Sequence, residues 1–403
     1  MEPIVEPADE LLEEMVAPYL RAQPSGLGFA IGYASPTFAN YGRVRLFGNV
    51  QNQFDAGPSL SCKTPFAIAS ITKTFTATLY ARLIRATHPD QTIADYLSPR
   101  GPFTAGELAR ISLDALVNYT SGLPHDNDDS GAKAASPPFR PQPYSLQGMI
   151  SFLNASPPGL SWPNESYTYS SLAFAIMSAI IGSDGKSELP AVHGFTRKMR
   201  EHVFEPLGLT ATFFNQTSLA ELPLGFHHEP GSRGYWPTPP GHPLFPAYFG
   251  AGGIVATPDD MFKWLLFNMG ITRDEELTPM LPALHRPSTQ VTTSDPANTE
   301  DWYELGLGWF VNPERRGFSG SISKDGELDG FASYIGFLPS ADPGDVASAA
   351  GAFVLVNADG LRKDDRDVTQ VLTNDLLLWM QGKTPPADKS VYPLSGRNVA
   401  TRA

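Results

Sequence analysis

Apolar residues first recur at helical spacing in residues 8–22, where Leu11, Leu12, Met15, Val16, Tyr19 and Leu20 line one face and Pro24-Ser25-Gly26 ends the run. Two β-like segments follow, Leu27–Tyr33 and Tyr41–Phe47, with Pro36 and Asn40 between them, and predict a hairpin. Residues 66–86 return to the helical period through Ile68, Ile71, Phe75, Leu79 and Leu83. Further helical stretches are Ser112–Asn118, Leu146–Leu153, Ser170–Ile181, Phe195–Phe204 and Pro258–Met269. Strand texture comes back in Gly317–Ser323, Ala332–Phe337 and Gly351–Val356, before an amphipathic helix at Arg366–Met380.

Strands at both ends with helices between them predict an α/β fold of the α+β type. One antiparallel sheet is built from N- and C-terminal strands and flanked by helices, with a mainly helical domain inserted. In residues, 1–60 and 315–383 form the discontinuous sheet domain, 61–314 the helical domain, and 384–403 a mobile tail. Segments 124–145 and 228–247, rich in Pro, Asp and Gly, read as two long loops of the kind that serve as lids. A cleft between the lobes is the expected ligand site.

Composition narrows the function classes. The 403 residues suffice for a large core, and a net charge of −13 without any Lys/Arg cluster argues against a nucleic-acid partner. The single Cys62 cannot form an internal disulfide, and no Cys/His set has zinc spacing, so no metal or cofactor is expected. The N-terminus is acidic, unlike a secretory signal, and no stretch reaches the ~20 apolar residues of a membrane span. The expectation is a soluble cytoplasmic protein with no membrane partner, in which the sequons at Asn118, Asn154, Asn164 and Asn215 stay unmodified.

Candidate chemistry begins at Ser70-Ile71-Thr72-Lys73. Residues i and i+3 share a helix face, so the Lys73 amine reaches the Ser70 hydroxyl and, if neutral, accepts its proton. The pattern alone does not discriminate. It recurs at Ser130/Lys133, Ser183/Lys186 and Ser321/Lys324, and a helix-capping serine followed by a solvated lysine looks the same.

The surroundings of Ser70 do discriminate. The run Pro65–Ala77 resembles the nucleophile helix of the serine β-lactamase and penicillin-binding-protein superfamily, closest in texture to class C β-lactamases and their esterase and transesterase relatives. Other landmarks follow in the family's order: Asn118-Tyr119-Thr120-Ser121-Gly122-Leu123-Pro124, Tyr169-Ser170-Ser171, Phe204–Leu209, Gly250–Thr257, Gly306-Leu307-Gly308-Trp309, and Lys324-Asp325-Gly326 in the place of the family's Lys-Thr-Gly strand. The resemblance spans residues 26–380. It implies Ser70 as the nucleophile that is acylated, Lys73 and the Tyr169 phenol as partners in general-base work, and the N–H groups of Ser70 and Glu327 as the oxyanion hole. A small-molecule acyl substrate is implied as the partner, while oligomeric state stays open.

Two positions depart from the family pattern. Ser171 stands where the family has an asparagine that contacts the lysine and the substrate's amide, and a hydroxyl cannot supply both a donor and an acceptor at that reach. Asp325 stands where the family has a threonine that, with the strand lysine, receives a substrate carboxylate. A carboxylate there repels another and neutralises Lys324. Both changes point to an ester or thioester of a small, partly apolar acid, plausible in specialised metabolism, rather than to a β-lactam or D-amino-acid peptide. A cyclase and a catalytically silent binding relative complete the alternatives. His125 and His227-His228-Glu229 read as loop residues rather than zinc ligands, because no further ligand stands at a suitable spacing. The aromatics Phe139, Tyr144, Trp162, Tyr235, Trp236, Phe245, Tyr248 and Phe249 either line an acyl pocket or anchor the loops.

Overall fold

Alternation decides how the first strand is buried. In β1 (Gly28–Ala34), Phe29, Ile31 and Tyr33 face one hydrophobic layer, while Ala30 and Ala34 face the other. Gly32 also points to the second layer, where the Phe353 ring fills the place of its side chain: a Cβ there would lie 2.1 Å from Phe353 Cε1. The computed structural model describes residues 3–21, 26–51, 59–97, 108–123, 125, 167–183, 190–217, 221–228, 235–238, 248–287, 289–292, 302–315, 318–328, 330–339 and 348–393.

The expected hairpin is present. β1 pairs with β2 (Gly42–Gly48), Phe29 opposite Phe47. The sheet continues through β3 (Thr289–Thr292), β4 (Trp302–Leu305), β5 (Phe310–Arg315), β6 (Phe318–Leu328), β7 (Phe331–Phe337) and β8 (Gly351–Val356). Their spatial order is β2-β1-β8-β7-β6-β5-β4-β3, antiparallel throughout, so the chain's two ends meet at the β1–β8 pair. The mixed α/β architecture with an antiparallel sheet is as the sequence pattern predicts.

Helix α1 (Asp9–Leu20) lays Leu12 and Val16 on one face of the sheet, beside the C-terminal helix, and the central helices lie against the other. Helix α2 (Thr72–Tyr80) is buried on all sides. Its threonines satisfy their hydroxyls on backbone carbonyls: Thr74 on Ile71, Thr76 on Gly250 and Thr78 on Thr74, at 2.7 to 2.9 Å. Helix α3 (Ser171–Gly182) is apolar around its circumference, as a helix enclosed by core must be. Helix α4 (Pro258–Asn268) starts on a Thr257/Asp260 capping box and presents Trp264, which stacks on Phe75 of α2 with ring centroids 3.7 Å apart. Helix α5 (Val368–Met380) is capped by Asp367 and backs the sheet.

Several expectations are corrected. The predicted helix over 66–86 is three pieces: a short strand at Phe66–Ala67, a tight turn at Ala69–Ile71, then α2 running into a wider turn at Ala81–Arg85. Apolar periodicity cannot separate a strand from a helix over so few residues. The sheet already includes strands from Thr289 onward, ahead of the expected boundary at 315: β3 is a four-residue edge strand, and Glu304, Pro313, Glu314 and Arg315 interrupt the apolar pattern of β4 and β5. Residues 384–393 of the expected mobile tail pack against α5: Tyr392 is buried, and its carbonyl accepts from Arg366 Nε at 2.9 Å. Residues 146–153, and most of the loops at 124–145 and 228–247, lie outside the described residues.

Candidate active site

Ser70 occupies the tight turn ahead of α2, not the helix itself. The turn is held by Ala69 at φ +47°, a left-handed conformation that costs a non-glycine residue on the order of 1–3 kcal/mol. Tyr119 is a second such residue beside the site, at φ +62°. The turn aims the Ser70 N–H and hydroxyl at the cleft, and the N-terminus of α2 favours negative charge developing on the serine oxygen.

Lys73, fully buried one turn on, directs Nζ at three neutral oxygens: Ser70 Oγ at 2.9 Å, the Ala251 carbonyl at 2.8 Å and Ser171 Oγ at 3.4 Å. Two of these partners are hydroxyls that can donate as well as accept, so the contacts suit the amine both before and after it takes up a proton. Ala251 was not foreseen, although it lies in the Gly250–Thr257 segment. The two flanking glycines admit this backbone: a Cβ on Gly250 would meet Ser178 Cβ at 2.5 Å.

Tyr169 is buried at the entrance to α3, its ring between two lysines: Lys73 Nζ lies 5.0 Å and Lys324 Nζ 5.3 Å from its centroid. An aromatic pile fixes the ring. Tyr119 stacks on it at 5.6 Å and on Phe310 at 5.0 Å, and His125 stacks on it at 5.6 Å. The Tyr119 hydroxyl donates to the Gly308 carbonyl at 2.8 Å, and burial pushes this phenol well above its ordinary value, so Tyr119 is a wall and not a base. His125, a weak candidate from sequence, also accepts the Ser171 N–H on its carbonyl at 2.7 Å.

The opposite wall is the end of β6. Beyond Ser323, which pairs with Phe310, residues Lys324–Leu328 pair only with β7 among the described residues, and their other edge faces the nucleophile turn. Gly326 makes this approach possible. A Cβ there would meet the Ile68 carbonyl at 2.4 Å and Ser70 N at 3.2 Å. The Glu327 side chain is held by the Arg362 guanidinium at 3.0 and 3.3 Å. Arg362 in turn lies 3.6 Å from the Asp367 cap of α5, whose carboxyl burial pushes up to about 6. Sequence reasoning missed Arg362 because its partner strand is 35 residues away.

Lys324 is fully buried and turned onto its neighbour. Its Nζ donates to Asp325 Oδ1 at 2.6 Å and to the Asp325 carbonyl at 2.7 Å. Burial alone would raise the Asp325 carboxyl, but the Lys324 charge and hydrogen bond, with Lys73 beyond, hold it below its ordinary value. The structure thus brings Ser70, Lys73, Tyr169, Ser171, Lys324, Asp325, Gly326 and Glu327 together around one cleft. His227 does not touch these residues; it lies in a strand (Gly225–His228), with Nδ1 2.7 Å from Asp359 Oδ1. Tyr248 and Phe249 are buried in the body, Phe249 stacked on Phe213. The side chains of the other aromatics lie outside the described residues. Among the described residues no cluster of metal-binding side chains occurs.

Comparison with known proteins gives the family and the fold. The D-alanyl-D-alanine-carboxypeptidase/endopeptidase AmpH of Escherichia coli (strain K12) is 26% identical over 360 residues, covering 86% of this chain and 82% of that protein. Beta-lactamase-like protein 4 of Dictyostelium discoideum is 22% identical over 302 residues, 70% of this chain and 49% of that one. In fold, the octameric penicillin-binding protein homologue from Pyrococcus abyssi superposes with a TM-score of 0.69 at 17% identity, over 94% of this chain and 78% of that one. The beta-lactamase/D-alanine carboxypeptidase from Pseudomonas syringae gives 0.65 at 17%, over 92% and 98%. A family model described as Beta-lactamase matches residues 36–374, and the chain belongs to that family.

Proposed function

We propose that this protein is a serine hydrolase or acyltransferase that forms an acyl-enzyme at Ser70 from an ester or thioester of a small, partly apolar acid, in specialised metabolism. Ser70 Oγ attacks the carbonyl carbon while its proton passes to the Lys73/Tyr169 pair. The phenol serves as a base because two ammonium groups flank its ring and favour the phenolate. The carbonyl oxygen takes up negative charge between the N–H groups of Ser70 and Glu327, donors that need no reorganisation. Collapse expels the alcohol or thiol with the returned proton. Water or a second alcohol then repeats the sequence on the acyl-enzyme.

The observation that carries the substrate class is the Lys324–Asp325 pair. A lysine already committed to a carboxylate at 2.6 Å is a poor receptor for a second one, which favours uncharged esters over carboxylate-bearing β-lactams or peptides. Ser171, 3.4 Å from Lys73, offers a short hydroxyl where an asparagine would offer an amide donor and a carbonyl acceptor at longer reach, which weakens the case for a substrate amide. Intact-protein mass spectrometry after exposure to a panel of acyl esters and thioesters tests the reading: the expected result is a stable or transient mass increase that is absent in Ser70→Ala.

The similarity to AmpH supports a second reading, a D-amino-acid peptidase or β-lactamase. Turnover of a chromogenic cephalosporin at a rate rivalling that on short acyl esters would establish it in place of the first.

A further inference from the structure

His227, half-exposed, and Asp359, almost covered, form an imidazole–carboxylate pair that the Ser70 chemistry does not use. They stand opposite one another in adjacent parallel strands, and Nδ1 lies 2.7 Å from the Asp359 carboxylate. An imidazole so held has a fixed ring plane and a fixed tautomer, with Nε2 left on the exposed side. No hydrogen bond to Nε2 occurs among the described residues.

The pair sits at the end of the cleft's strand wall. Asp359 accepts the Gly330 amide, and Gly225, two residues before His227, abuts Gly330 so closely that a Cβ would meet its Cα at 2.7 Å. Gly330 lies in the β6–β7 connection, three residues beyond Glu327. At roughly 3.3 Å per residue, the three steps from Glu327 to Gly330, which end in the β6–β7 turn, span at most about 10 Å, so a chain following the open edge of β6 from the Ser70 carbonyl site meets the turn that carries this pair within that distance. Asp359 and Glu327 already repel one another, so a carboxylate is unwelcome there, while an imidazole nitrogen and a shielded acid suit an uncharged hydroxyl.

We propose that His227 and Asp359 form a distal polar subsite, and that one arm of the substrate carries a hydroxyl within about 10 Å of the ester carbonyl. This rests on the acyl-ester reading and specifies its substrate further. The test uses four esters: p-nitrophenyl octanoate, octyl acetate and the ω-hydroxy analogue of each. The expected result is a preference of about tenfold or more in kcat/KM for the hydroxylated member of one pair. That preference should disappear in His227→Ala and weaken in Asp359→Asn, while the plain ester is turned over as before. His227→Gln, which keeps a hydrogen-bonding tip, should retain part of it, and unchanged melting temperatures separate recognition from unfolding. Equal turnover within both pairs, or a preference that survives in His227→Ala, overturns the subsite and leaves the acyl-enzyme reading intact. Failure of all four to acylate Ser70 overturns both.

Discussion

Lys73 and Lys324 are both fully buried, lie within reach of the same tyrosine ring, and differ in what they hold. Lys73 spends its donors on a hydroxyl it is to activate, a second hydroxyl and a carbonyl, all uncharged. Its proton can therefore move without separating an ion pair. Lys324 faces the carboxylate of the next residue, and moving its proton or offering its charge to a ligand means breaking a shielded pair. In the proposed mechanism burial of a lysine thus has opposite uses depending on whether its acceptors are neutral or charged: one lysine would work on protons, the other would turn anions away.

The largest test of that contrast is at the nucleophile. Ser70→Ala should abolish acylation. Lys73→Ala and Tyr169→Phe should each slow it by roughly 10²-fold or more in single-turnover measurements, as expected of general-base groups. Near-normal turnover in either variant removes that residue from the mechanism. Gly326→Ala comes next. Its methyl group collides with the Ile68 carbonyl and crowds the Ser70 amide, so kcat should fall by about 10²-fold with a smaller change in KM, the pattern of a displaced oxyanion donor.

Asp325→Asn strikes the other lysine. It should raise kcat/KM for carboxylate-bearing esters about tenfold and leave neutral esters nearly unchanged, with a lower melting temperature because a buried ammonium loses its counter-charge. Equal effects on both ester classes would show that Lys324 does not sense substrate charge.

The smallest effect concerns a third buried base, which is kept neutral instead. His285 is enclosed by Trp309 and Phe337, its Nε2 lies 3.1 Å from the Asn268 amide oxygen, and burial lowers its pKa from 6.5 to about 3. The unfolded chain therefore binds this proton first. The contribution is fully present above pH 6.5 and is lost, at up to about 1.4 kcal/mol per pH unit, as pH falls toward 3. Denaturant titrations at pH 7 and 5 should show the loss in the wild type and a smaller one in His285→Gln.

Much of this was legible in the chain. Alternation revealed β1, β7 and β8, and helical spacing revealed α1, α3 and α5, because each buries a regular face. Ser70, Lys73 and Tyr169 were legible through ordered segments surrounding them, not through Ser-x-x-Lys itself. The turn at Ala69–Ile71 was not, since a positive φ at an alanine leaves no mark in sequence. The Ala251 carbonyl escaped for a related reason: a backbone acceptor has no residue identity. Arg362 and Asp359 come from two-residue strands after β8, too short to leave a pattern, and only tertiary packing brings them near the site. Asp325 was recognisable as a departure, but that its carboxylate turns back onto Lys324 needed coordinates.

The pairing of the chain's two ends has a temporal consequence. The Gly28 amide donates to an Asn357 side chain 329 residues further on, and the strand carrying Lys324 to Glu327 is joined through β7 to the β8–β1 pair in which the two ends meet. At ordinary synthesis rates, on the order of half a minute separates the emergence of β1 from that of β8. Ser70 leaves the ribosome early but has no opposing wall until Gly326 arrives. On the proposed mechanism the nascent protein would therefore be inert through most of its own translation, gaining reactivity only when the last strands close the sheet.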